Sequence, residues 1–279
     1  MRVTIAGASG FVGSFLCDYF QKNDWEVSRI NAADFGGDLS SKIEGADLVV
    51  NLAGAPIIGR WSEEYKKTLE SSRIETASKL TQAICAVQNK PKSFFSASAV
   101  GYYEEGENDE YSYKKADDFL GDLCERWENE ARKVEACGVK CVNMRFGIVI
   151  GKNGGALAQM LPIFKAGLGG KIGSGKQGFS WIHLLDLAKA ILFIYEKELD
   201  GAFNFTAPNP TTNEGLTKAL GHALSRPTIF PVPEFALRLL YSEGAKVLTS
   251  GQKVYPKKLL EAGFAFQYSK IEEAIKDAI

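Results

Sequence analysis

RVTIAGASGFVGSFLCDYFQKNDWEVSRI, residues 2–30, decides the fold. Residues 2–6 are a short β-type apolar run that ends at Gly7. Phe11, Phe15, Leu16, Tyr19 and Phe20 then recur at helical spacing, and WEVSRI at 25–30 returns to a strand pattern. Strand, glycine turn, helix and second strand within about 30 residues make a βαβ unit. Gly7, Gly10 and Gly13 form a Gly-x-x-Gly-x-x-Gly. With 28 glycines in 279 residues the bare pattern is weak. Its place between a strand and a helix gives it meaning, because glycine lets backbone approach a pyrophosphate at the helix N-terminus. A tight strand-to-helix turn without a ligand is the competing reading.

Working outward, ADLVVNLAG (46–54) and KSFFSASAV (92–100) read as buried strands, and residues 62–88 have helical periodicity. Residues 117–136 place Phe119, Leu120, Leu123, Cys124, Trp127, Ala131 and Val134 on one helical stripe. VKCVNMRFGIVI (139–150) is the next strand. This alternation predicts an α/β fold with a doubly wound parallel sheet. After residue 150 the texture becomes glycine-rich, then Pro-punctuated with short helical runs. The expected organisation is a dinucleotide-binding domain at 1–150, rejoined by about 180–205, with a smaller, mostly helical substrate lobe at 151–179 and 206–279.

The charge balance, 33 basic against 34 acidic residues, gives no global field toward nucleic acid or an anionic membrane. No apolar run is long enough to span a bilayer, and MRVTIAGASG has no signal-peptide architecture. The five cysteines (17, 85, 124, 137 and 141) contain no Cys-x-x-Cys, and the only histidines are His183 and His222. A His/Cys metal site is not expected. Reduced thiols, a cytoplasmic location and a small-molecule substrate are.

The second strand ends Arg29-Ile30-Asn31-Ala32, with Asp34 beyond. An Asp at that tip would take a ribose 2′-hydroxyl and an Arg a 2′-phosphate. Neither rule is met cleanly.

Long motifs in order, GASGFVG (7–13), VNLAGAPI (50–57), SSRIET (71–76), SASAVGYY (96–103), LCERWE (123–128), MRFGIVI (144–150), SWIHLLD (180–186) and GQKVYPKKLLEAGF (251–264), carry a resemblance. The chain resembles the extended short-chain dehydrogenase/reductase superfamily and, within it, the atypical branch called epimerase family protein, with a DUF1731-type C-terminal region. The resemblance implies a Rossmann domain and NADP as cofactor, with NAD as the alternative. It implies a cofactor set of Gly7, Ser9, Gly10, Phe11, Val12 and Gly13, then Asn31, then Asn51, Leu52, Ala53 and Gly54, with Ser96, and Arg73 reaching toward the phosphates. Relatives usually carry Arg where this chain has Ala32.

At the mouth of the fourth strand, Ser98 sits where extended members hold a substrate hydroxyl or carbonyl. The plain alternative is a hydroxyl satisfied at a strand end. Tyr102 follows as a catalytic candidate and Tyr103 as a substrate contact, with core caps as the plain alternative for both. Arg145, Trp181 and His183 are further substrate candidates, His183 also reading as structural. GGKIGSGK (169–176) imitates a phosphate loop, but Gln177 replaces the magnesium-binding Ser or Thr. A flexible loop at the cleft edge is expected there. Acidic residues 104, 105, 107, 109 and 110 read as a solvated loop.

EYSYKK (110–115) spells Tyr111-x-x-x-Lys115, an acid/base pair in which lysine lowers the tyrosine pKa. Ser98 to Tyr111 fits a Ser98–Tyr111–Lys115 catalytic set. The distance to Arg145 does not: Phe119, not Tyr111, stands at the tyrosine's place relative to that strand, with Leu123 at the lysine's. An offset of eight residues moves the phenol ~10 Å or more along a helix. Two functions remain open: an NADP-dependent oxidoreductase or epimerase with altered acid/base groups, and a cofactor-binding sensor or interaction protein without turnover.

Overall fold

The computed structural model describes residues 1–279. Six strands, β1 (Arg2–Ala6), β2 (Glu26–Ile30), β3 (Leu48–Asn51), β4 (Ser93–Ala99), β5 (Lys140–Phe146) and β6 (Gly201–Phe205), form one parallel sheet in the order β6-β5-β4-β3-β1-β2. Successive side chains of a strand point to opposite faces. Val3, Ile5, Leu48, Val50, Phe95, Val142 and Met144 therefore pack one core with helices α1 (Phe11–Lys22) and α5 (Leu184–Glu196). Val49, Phe94 and Cys141 pack the other with α2 (Glu63–Ala86) and α3 (Phe119–Arg132). A parallel sheet buried on both faces needs near-continuous apolar strands, and LVVN and SFFSASA supply them. The strand order reverses between β1 and β3, which places the ligand crevice outside their carboxyl ends.

A second core joins α4 (Gly155–Lys165), α6 (Asn213–Leu224) and α8 (Ile271–Ala278) around Leu157, Phe164, Trp181, Leu216 and Ile275. Residues 257–264 return to the sheet, since Leu259 and Phe264 belong to its core. The run 139–150 is broken in two. A Cβ on Gly147 would lie 2.8 Å from the Ser180 carbonyl oxygen, and Ile148–Ile150 leaves the sheet to pair with Trp181–His183. No helix is long and apolar enough to cross a membrane.

Two expectations fail. Cys85 and Cys137 form a disulfide between the last turn of α2 and the turn after α3, so only Cys17, Cys124 and Cys141 are thiols, all buried. GGKIGSGK is not a free loop: Val232 N donates to Lys171 O at 2.8 Å, Gly173 N to Val232 O at 2.9 Å, and Ile172 N to the Asn213 side chain.

Candidate cofactor and substrate site

The glycine turn is built to be thin. Gly7 has φ +79°, and a Cβ there would lie 2.9 Å from the Leu52 carbonyl carbon. A Cβ on Gly13 would lie 2.2 Å from the Gly7 oxygen. β1, the turn, the start of α1 and the end of β3 are thus in backbone contact. Gly10 is the N-cap of α1 and offers no side-chain cap, so the first-turn N–H groups are left for an anion. Ser9 and Gly10 are exposed, while Phe11 and Val12 are half-buried. Gly154 closes over Phe11 so tightly that a Cβ would sit 2.1 Å from its ring.

The loop after β3 is pinned by side chains. Buried Asn51 accepts from Ala53 N at 3.1 Å and donates to Ser96 Oγ at 3.4 Å. Ser72 Oγ accepts from Ala55 N, and the Tyr65 hydroxyl donates to the Pro56 oxygen at 2.6 Å. Arg73 donates to the carbonyls of Ala55 and Leu69, and a Cβ on Gly54 would meet its guanidinium carbon at 3.3 Å. The Arg73 donors go to backbone carbonyls and Ser72 Oγ rather than to a carboxylate, and burial lowers its pKa.

At the tip of β2, Asp34 does not present a free carboxylate. One oxygen accepts from Asn31 N at 2.7 Å and the other pairs with Lys42 Nζ at 2.7 Å, which lowers its pKa. Lys42 Nζ also donates to the Arg29 carbonyl at 2.9 Å. An ammonium, itself paired with Asp34, therefore lies at the tip of β2.

At the mouth of the sheet, Ser98, Arg145 and Asn204 lie side by side across β4, β5 and β6. Ser98 Oγ donates to Glu128 Oε1 at 2.7 Å. Arg145 holds the same carboxylate through Nε and a terminal nitrogen, at 2.7 and 2.8 Å, and gives its other terminal nitrogen to the Tyr103 hydroxyl at 2.8 Å. Tyr103 in turn donates to Asn204 Oδ1 at 2.7 Å. The Tyr102 ring stacks on the guanidinium, 3.7 Å from its carbon. Burial would pull the Arg145 pKa down, but hydrogen bonds and charge from Glu128 reverse this and leave it raised. Burial pushes the Tyr103 phenol up to about 12, against the opposing charge of Arg145.

This geometry corrects several expectations. Tyr103 and Arg145 are spent on internal partners rather than free for substrate. Glu110 is not part of a solvated loop: it is buried, accepts from the backbone N–H of Asn204, Lys257 and Lys258, and has a pKa raised by burial. Trp181 is fully buried, with its indole N–H on the Asn209 carbonyl. His183 is the N-cap of α5: Nδ1 accepts from Leu185 N at 3.2 Å, and the ring lies on Tyr268. Neither faces a cleft as a substrate contact.

The Tyr111–Lys115 pair is not assembled. Asp118 caps α3 by accepting from Gly121 N, and a Cβ on Gly121 would lie 2.1 Å from the Ala116 oxygen, so the helix begins at Phe119. Tyr111 lies outside it, exposed, with its hydroxyl on Glu261 at 2.9 Å. Lys115 Nζ is held by Asp122 and Glu125, which raise its pKa. Phe119 instead stands edge-on to Trp61, ring centroids 5.4 Å apart. The Lys246–Asp118 ion pair and the Trp61 N to Tyr241 O bond bring the C-terminal region against this corner.

Residues 3–205 match the family described as NAD dependent epimerase/dehydratase, and residues 232–278 match DUF1731, a domain of unknown function. The chain belongs to the NAD dependent epimerase/dehydratase family. An Arabidopsis thaliana protein named epimerase family protein SDR39U1 homolog, chloroplastic, is 39% identical over 300 residues, covering 99% of this chain and 86% of that protein. An epimerase family protein of Staphylococcus aureus is 37% identical, covering 99% and 98%. The crystal structure of human epimerase family protein SDR39U1 (isoform2) with NADPH superimposes with a TM-score of 0.91 at 33% identity, covering 99% and 98%. The epimerase-family sheet and glycine turn were legible in the sequence. Glu128 was missed, although a charge at i+4 from Cys124 on an apolar stripe was its signal.

Proposed function

We propose that this epimerase-family chain binds NADP(H) and acts as an oxidoreductase or epimerase on a small hydroxyl- or carbonyl-bearing substrate, without a tyrosine-lysine pair. The observation that carries the reading is Arg73: a partly buried guanidinium with no carboxylate partner, set against Gly54 beside the thin glycine turn. A desolvated cation without a counter-ion favours an anionic ligand. The uncapped N-terminus of α1 supplies further donors. That the human relative was crystallised with NADPH supports the same cofactor here. Gly7, Gly10 and Gly13 would hold the pyrophosphate, Asn51, Leu52 and Ala53 the inner edge, and Lys42 the adenosine end.

When bound, the cofactor supplies hydride transfer. The Ser98 hydroxyl donates its hydrogen bond to Glu128, so toward a substrate hydroxyl its oxygen could serve only as an acceptor. Glu128, locked by Arg145, fixes that orientation. Phe119 and Trp61 wall the corner where a phenol would otherwise stand. The test is fluorescence titration with NADPH on the whole chain and on Arg73→Met. Loss of one charge-assisted contact, about 1.5–3 kcal/mol, should weaken binding roughly tenfold or more; unchanged affinity would remove Arg73 from the site.

A second reading, a cofactor-binding sensor without turnover, is favoured by one observation. The helix position that would carry the acid/base phenol holds Phe119. NADPH oxidation with a panel of small carbonyl compounds separates the two: no rate above background with any of them supports the sensor.

A further inference from the structure

Helix α7 (Glu234–Tyr241) has no buried residue, yet its sequence is EFALRLLY. Eight residues are too few for a helix to be stable in water on propensity alone, and helices ordinarily gain stability by burying an apolar face. Here that face is open: Phe235 is 74% exposed and Leu239 80%, with Leu240 beside them. The surface continues onto the preceding segment through Ile229 and Phe230, and from there onto the end of α4 and the turn after it, through Ile163 and Leu168. These segments form one body. Val232 N donates to Lys171 O, and a Cβ on Gly170 would lie 1.7 Å from the Phe230 oxygen. Seven of the twelve exposed large apolar side chains of the whole chain belong to these joined segments.

We infer that this face pairs with the same face of a second copy of the chain. The first reason is area. At these exposures the seven side chains leave roughly 750 Å² of apolar surface per copy, close to the roughly 800 Å² each partner contributes to a standard specific interface. A monomer's largest apolar patch is ordinarily about 300–600 Å².

The second reason is charge. Glu234 and Arg238 stand one turn apart on α7, next to Phe235 and Leu239, and their own contact is long, 3.8 Å. A two-fold interface is self-complementary, so two α7 helices crossing antiparallel bring Glu234 of each copy to Arg238 of the other, with opposed helix dipoles. Acidic and basic groups flanking the Phe235–Leu239 stripe suit a second copy better than an anionic lipid surface, which selects for basic residues alone. The pairing also reaches the cleft. Tyr241, the last residue of α7, accepts from Trp61 N, so a covered α7 steadies the wall beside Phe119.

Sedimentation velocity of the full chain from about 1 to 50 µM is the test, run beside Phe235→Glu and Leu239→Lys, with circular dichroism to confirm folding. Both substituted side chains are solvent-exposed, so the fold should survive. The expected result is a dimer whose dissociation constant rises at least a hundredfold in each variant. Glu234→Arg should weaken it at least tenfold, and adding Arg238→Glu should recover most of the loss. A chain that stays monomeric at 50 µM overturns the inference, as does a dimer indifferent to Phe235→Glu. Flotation of a monomer with phosphatidylserine vesicles, lost in the same variants, would instead assign the face to a membrane and equally overturn it.

Discussion

Ser98 and Arg145 meet on a single oxygen of Glu128, at 2.7 Å each. The strands set them opposite one another in register, and Glu128 comes down from α3 between them. All three are buried. The hydroxyl expected to serve substrate is thereby tied to the ion pair that holds the strand mouth together.

Removing the charge on Glu128 should cost far more than removing Ser98. Glu128→Gln leaves the Arg145 guanidinium buried without its anion, and breaking such a pair costs about 3–5 kcal/mol. Ser98→Ala removes one hydrogen bond to a carboxylate and should cost about 1.5–3 kcal/mol. Urea denaturation checks both. Equal losses would mean that Glu128 is not the anchor.

Tyr111→Phe and Lys115→Met should be nearly silent. The Tyr111 hydroxyl bonds Glu261 on the surface, and Lys115 bonds two exposed carboxylates. Surface substitutions of this kind usually stay within about 0.5 kcal/mol. NADPH affinity and any turnover should remain within about twofold of the parent chain. A loss of tenfold or more in either would restore the pair to the site.

Stability should fall as pH drops through the ordinary histidine range. Burial lowers the His183 pKa below 6.5, against the opposing charges of Asp277 and Asp186. The unfolded chain then binds more protons than the folded one between the folded value and 6.5, so stability rises with pH across that window and is lost below it. Protonating Nδ1 would also break the cap on Leu185 N and set a cation at the start of α5. His183→Asn keeps a capping oxygen and should flatten this part of the pH profile in chemical denaturation. An unchanged slope would assign it to another group.

Reducing the disulfide should lower stability without disturbing the cofactor groove. Cys85 and Cys137 are 52 residues apart, and closing a loop of that size is worth up to about 4 kcal/mol in chain entropy. The bond joins the trailing ends of α2 and α3, whereas the cleft lies at their leading ends. Dithiothreitol or Cys85→Ala should therefore lower the melting temperature while NADPH affinity holds. A melting temperature indifferent to reductant would show that the bond is not formed in solution.

What the sequence made legible was what local periodicity encodes. Residues 2–30 specified strand, glycine turn, helix and strand, and the apolar stripe over 117–136 marked the helix that runs Phe119–Arg132. Illegible were partnerships between distant segments. Glu110 reads as one acid among several, yet its carboxylate caps backbone from residues 204, 257 and 258. Trp181 and His183 look like cleft residues from their motif, but the strand break at Gly147 sends Ile148–Ile150 to pair with them, so that Trp181 joins the second core and His183 caps α5. Cys85 and Cys137 share no motif because the packing of α2 against α3, not their spacing, brings them together.

The most direct measurement is a fluorescence titration of the unmodified chain with NADPH and NADH in parallel at low salt. At the tip of β2 both Asp34 oxygens are engaged and Lys42 supplies the cation. The expected result is NADPH bound at least tenfold more tightly than NADH, with the difference reduced in Lys42→Ala. Equal or reversed affinities would contradict the preference for NADP(H), and binding of neither would contradict the cofactor site itself.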